Sequence, residues 1–79
     1  MSDVEKRVKE VTARTLKVDV GRIDNNARFV EDLGAESIQS VELVAAFEEE
    51  FDIEMDEEEA LEVKTVGKAV EFIEKALRS

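Results

Sequence analysis

Val4, Val8, Val11, Thr15 and Leu16 recur at intervals of three and four, which places them on one stripe and predicts a helix from about Asp3 to Lys17. Ser2 or Asp3 stands where an N-cap is needed. From Val18 to Glu36 the periodicity breaks, and Gly21, Asp24-Asn25-Asn26 and Gly34 favour turns. Ile23, Phe29 and Leu33 interrupt that polar run and pin the loop to a core. A loop this long in a small domain usually serves a function, and it has room for one short helical turn. A helix is predicted from near Ser37 to Phe51, and a short one over Asp56 to Leu61. Thr65 caps a last helix whose Val66, Ala69, Val70, Ile73 and Leu77 share a face. With no strand signal and no internal repeat, the pattern predicts an all-α fold, a small bundle of three main helices plus one short helix.

The helix at Ser37 differs from the other two, because at about 100° per residue it carries two apolar faces. Leu43, Val44, Phe47 and Phe51 lie close together around the axis and form the core face, whereas Ile38, Val41 and Ala45 gather on the opposite side. Glu42, Glu48 and Glu49 border that second strip. Single exposed apolar residues are ordinary, but three inside an acidic rim suit a partner, with apolar contact giving affinity and the acids giving orientation and encounter rate. Ser40 falls at the angle of the core face and reads as a buried or half-buried helix residue.

Composition narrows the chemistry. Seventy-nine residues make one domain, 1–79, with a modest core and a stability of only a few kcal/mol, and catalysis in so short a chain would be unusual. The absence of cysteine and histidine excludes disulfides, thiolate or imidazole metal ligands, thiol nucleophiles and histidine bases. No apolar run approaches the roughly 20 residues that span a bilayer, and the N-terminus lacks the features of a signal peptide, so a cytoplasmic protein without membrane insertion is expected. A net charge of −10 argues against nucleic acid. Residues 29–63 hold fourteen of the twenty-one acids and no lysine or arginine. Such a field weakens the compact state by self-repulsion and suits either a solvated surface or a basic partner. The best metal-loop candidate, Asp24-Asn25-Asn26-Ala27-Arg28, has Arg28 at the fifth position and no glycine at the sixth, so no dedicated metal site is expected.

The stretch Asp32-Leu33-Gly34-Ala35-Glu36-Ser37-Ile38-Gln39-Ser40-Val41-Glu42-Leu43 places one serine at the mouth of the acidic helix. Serine at a helix start is commonly an N-cap and nothing more. This stretch, however, resembles the prosthetic-group attachment region of acyl carrier proteins, whose pattern is close to Asp-Leu-Gly-Ala/Gly-Asp-Ser-Leu-Asp-x-Val-Glu-Leu. The likeness extends over most of the chain, through Asn25 to Ala35, Val41 to Val44, Glu48 to Phe51 and Thr65-Val66-Gly67. It implies a four-helix, noncatalytic carrier that holds acyl intermediates as thioesters on 4'-phosphopantetheine joined to Ser37. It further implies an acyl pocket, for which Phe29, Leu33, Leu43, Phe47 and Leu61 are candidates by position. The implied partners are a phosphopantetheinyl transferase and acyl-transferring and acyl-modifying enzymes of fatty-acid, polyketide or special-lipid synthesis. These would meet basic docking surfaces with Glu36, Ile38, Gln39, Val41, Glu42, Ala45, Glu48 and Glu49 of a monomer. A phosphate at a helix N-terminus is favoured by free N–H groups and by the helix dipole. The nearest lysine in sequence, Lys17, lies twenty positions back, so another enzyme must modify Ser37.

The flanks of that serine depart from the family pattern, since Asp-Ser-Leu-Asp becomes Glu36-Ser37-Ile38-Gln39. Glu36 adds a methylene, Ile38 moves the branch to the β-carbon, and Gln39 loses a charge. A specialised carrier with its own enzymes and neutral drift both account for these changes. A reading from another class is an unmodified acidic adaptor that uses the same strip.

Overall fold

The computed structural model describes residues 3–78 and contains four α-helices: α1 over Asp3–Leu16, α2 over Ser37–Phe51, α3 over Glu57–Glu62 and α4 over Val66–Arg78. A 3-10 turn, Val20–Arg22, lies in the long loop where a short helical turn fits. Among the described residues there is no strand, only an isolated antiparallel bridge between Arg28 and Thr65. The capping role read for Ser2 lies outside the described residues.

The apolar period holds over most of α1 and α4. Val8, Val11 and Leu16 of α1 are buried, and α1 packs on α2 and α4. Thr12, which the apolar stripe did not include, is also fully buried, and its hydroxyl donates to the Val8 carbonyl at 2.8 Å. That bond satisfies the hydroxyl within its own helix, so its burial leaves no polar atom unpaired. Asp3 and Glu5 in the first turn and Arg14 in the last complement the helix dipole. In α4, Val66, Ala69, Val70 and Ile73 are buried as read, and Thr65 Oγ1 accepts the Lys68 N–H at 3.2 Å. Leu77 departs from the expected stripe. It is 46 % exposed in the last turn of α4, beyond the reach of the core.

Three backbone hydrogen bonds tie the long loop to the start of α4. Phe29 N–H donates to the Lys64 carbonyl (3.0 Å), Val66 N–H to that of Ala27 (3.0 Å), and Gly67 N–H to that of Asn25 (2.8 Å). Gly67 is required by contact: a Cβ there would stand 2.9 Å from the Asn25 carbonyl oxygen. Ile23, Ala27 and Phe29 are thereby buried, and Phe29 meets Phe47 of α2 with ring centroids 6.5 Å apart at 55°. The loop is fastened on both sides and delivers the chain to Ser37 from a fixed place.

Candidate functional site

Residues 28–35 form the approach to α2 by consecutive tight turns. Arg28 donates its backbone N–H to Asp32 Oδ2 (2.8 Å), and its guanidinium reaches the same carboxylate through Nε at 3.2 Å and Nη2 at 3.4 Å. Asp32 and Leu33 N–H groups return to the Arg28 carbonyl at 3.0 Å. The hydrogen bonds from Arg28 hold the Asp32 carboxyl below its usual range, while Asp32, helped by Glu31, holds the guanidinium still more firmly protonated. The turn closes with Gly34 N–H on the Val30 carbonyl (3.1 Å) and Ala35 N–H on that of Phe29 (2.9 Å). Gly34 has φ +72°, a conformation other residues rarely adopt, and open space where a Cβ would be. Ala35 is buried and anchors the end of the loop.

The chain then changes from extended to helical. Glu36 is the N-cap (φ −83°, ψ 166°), and Ser37 is the first helical residue rather than the cap expected of a serine at a helix start. One extended residue makes the difference. Gln39 Oε1 accepts the Glu36 N–H at 2.9 Å, and Ser40 N–H makes the first intrahelical bond, to the Glu36 carbonyl at 2.9 Å. The N–H groups of Ser37 and Ile38 precede that bond and are free donors of the helix start. Ser37 is exposed, and no acid lies in the first turn of α2 in a chain that has twenty-one. The serine, the free donors and the acid-free turn together make a place where a phosphate fits. Ser40 is half-buried, with its hydroxyl donating to the Glu36 carbonyl at 3.3 Å.

The second face of α2 is open. Ile38 is 70 % and Val41 69 % exposed, and Glu42, Ala45 and Glu49 are exposed along with them. Glu36 is exposed at the front of the strip, and Gln39 is half-buried. Glu48 differs from the free rim acid read for it. It is half-buried, and its Oε2 accepts the Met55 N–H at 2.9 Å, so it fastens the α2–α3 turn.

Of the pocket candidates, Phe29, Leu43 and Phe47 are buried in one cluster, and half-buried Leu33 packs against it. Leu33 also lines an open cleft with Val18, Arg22, Asn26 and Gly34. Leu61 does not join them, because it is 72 % exposed. Ala60 of six-residue α3 and Val63 just after it pack against the core, and Leu61 is turned outward. No three metal-ligating side chains gather among the described residues, and no helix there is long and apolar enough to cross a membrane.

The far end of α2 holds what the sequence did not reveal. Arg7 of α1 donates to the Glu50 carbonyl (2.7 Å) and to Glu50 Oε2 (3.0 Å), and its guanidinium lies 4.6 Å from the Phe51 ring centroid. Arg14 adds a longer ion pair to Glu50 at 3.8 Å. Asp52 in the left-handed region (φ 54°) and Ile53 N–H on the Glu48 carbonyl (3.2 Å) finish the helix. A cation from α1 thus neutralises the negative end of a helix that has no basic residue of its own in the last turn.

Comparison with known proteins bears on the same residues. Residues 6–73 match the family described as phosphopantetheine attachment site. The chain is similar to the acyl carrier protein of Sinorhizobium fredii (strain NBRC 101917 / NGR234) and to acyl carrier protein AcpP of Rhizobium meliloti (strain 1021). Each is 50 % identical over 76 residues, covering 96 % of this chain and 97 % of the relative.

Proposed function

Because this chain belongs to the acyl carrier protein family, a family of carriers and not of enzymes, we propose that Ser37 is where its 4'-phosphopantetheine is attached. The observation that carries the assignment is the placement of Ser37. It is exposed, makes no hydrogen bond through its hydroxyl among the described residues, and stands first in a helix whose opening N–H groups are free and whose first turn has no acid. When bound, the group supplies a terminal thiol on which acyl groups travel as thioesters. The protein's own part is to present the hydroxyl, to receive the phosphate on the N–H groups of Ser37 and Ile38, and to keep space at Gly34 clear.

The family implies dealings with a phosphopantetheinyl transferase and acyl-handling enzymes. In our reading these partners dock basic surfaces on Ile38, Val41 and Ala45, with Glu36, Glu42 and Glu49 steering the encounter. Phe29, Leu33, Leu43 and Phe47 form the apolar wall that an acyl chain would part, and residues 1–79 act as one carrier domain. An unmodified adaptor is disfavoured, since the attachment-site family matches residues 6–73.

The assignment is tested by incubating the protein with coenzyme A, Mg2+ and a broad-specificity transferase, then locating the added group by fragment-ion mass spectrometry. One phosphopantetheine on Ser37 is expected. Its appearance on Ser40 or another hydroxyl, or no addition, would overturn the assignment.

A further inference from the structure

The hydrogen bond from Glu36 N–H to Gln39 Oε1 (2.9 Å) spans the residue that bears the attachment hydroxyl. Ala35 on one side is fixed by its N–H on the Phe29 carbonyl (2.9 Å), and Ser40 on the other by its N–H on the Glu36 carbonyl (2.9 Å). Between them the backbone passes from extended at Glu36 to helical at Ser37, and that single change of direction decides where the Ser37 Cα–Cβ bond points. The Glu36 N–H has no helical partner, so without the Gln39 side chain it would turn to water, and of the capping box only the bond from the Gln39 backbone N–H to the Glu36 side chain would remain. Among the described residues, the Ser37 hydroxyl has no hydrogen-bond partner that could orient it instead.

We propose that Gln39 is a positioning residue for the modification of Ser37. It fixes the extended-to-helical turn that aims the hydroxyl, by accepting the Glu36 N–H. The proposal rests on Ser37 being the attachment residue. It also differs from a docking role for Gln39: the amide oxygen is engaged within the chain, and the side chain is half-buried, unlike that of its neighbour Ile38.

The test measures kcat and KM for transfer of phosphopantetheine from coenzyme A with the parent, Gln39→Ala and Gln39→Glu, and amide hydrogen exchange at Glu36 in each unmodified protein. Alanine removes the acceptor while favouring helix, and glutamate restores an acceptor of the same length. Gln39→Ala should lower kcat by at least about fivefold with KM within about twofold, because a misaimed nucleophile slows the chemical step more than the encounter. Its Glu36 amide should exchange faster, and Gln39→Glu should recover both kcat and the slow exchange. Parent kcat in Gln39→Ala, a change confined to KM, or a loss that glutamate does not recover would each overturn the positioning role. Failure of the underlying assignment would look different, because the parent itself would then carry no group on Ser37, and both ideas would fall.

Discussion

The two ends of α2 are held in opposite ways. At the back, Arg7 reaches across from α1 to Glu50 and Phe51, Glu48 grips the Met55 N–H, and Phe51 is buried. At the front, the cap is entirely local: Gln39 serves Glu36, and Ser37, Ile38 and Val41 face outward. The back commits side chains of α1 and α2, and the Met55 N–H beyond them, to stability. The front leaves a hydroxyl, two N–H groups and two large apolar side chains unused by the fold. Such surplus is how a small domain makes room for a function without unfolding itself, because the groups that others must reach are not the groups that hold the helix.

The contrast is sharpest where it concerns stability. Phe51→Ala empties the buried back end and should cost about 3–5 kcal/mol, a large share of what a domain this size has, read as a fall in the urea midpoint. A loss below about 1 kcal/mol would mean that the back end is not an anchor.

Gly67→Ala tests whether the front is delivered by the loop bonded to α4. The new Cβ meets the Asn25 carbonyl at 2.9 Å, and that backbone must move. Alanine's helix preference returns about 1 kcal/mol, leaving a net loss of about 1–2 kcal/mol. Modification of Ser37 should slow as well, since residues 25–35 set its approach. A variant as stable and as quickly modified as the parent would separate the loop from the site.

Arg7→Met keeps an apolar stem near Phe51 but removes the donor to Glu50. With the pair partly exposed, about 1 kcal/mol should be lost, with no change in modification rate. A slowed modification at unchanged stability would break the division between the ends.

The smallest effect is electrostatic. Bonding to Arg28 lowers the Asp32 carboxyl, so the clamp contributes fully above the ordinary carboxylate pKa of about 4 and is lost as pH falls through the lowered value. Carboxyl NMR titration should place Asp32 below the exposed acids, and Asp32→Asn should flatten the corresponding part of the stability profile. A titration midpoint in the ordinary range would show the clamp to be open in solution.

Much of this was legible in the chain. Ser37 to Phe51 could be bounded because a core period runs unbroken between a turn-rich loop and Asp52, and Ile38 and Val41 could be placed outside because they oppose that period. Thr65 announced its helix because a cap acts over three residues. What escaped reading acts over distance or one residue at a time. Arg7 and Glu50 are 43 positions apart, and no local pattern joins them. The Gly67–Asn25 approach likewise exists only after folding. Glu48 looks like any rim acid until the α2–α3 turn brings the Met55 N–H to it. Leu61 and Leu77 are apolar at permitted positions, but a six-residue helix and a final turn reach too little core to cover them. Whether Ser37 caps the helix or opens it turns on Glu36 alone being extended, a distinction of one peptide that composition does not record.

The most direct test of the division is Ser37→Ala with two readings on one sample, intact mass after incubation with coenzyme A, Mg2+ and the transferase, and the urea midpoint before it. Ser37 is neither the cap nor buried, so stability should stay within about 0.5 kcal/mol of the parent while modification is abolished. Modification that persists, or a variant that loses the group only because it no longer folds, would contradict the account.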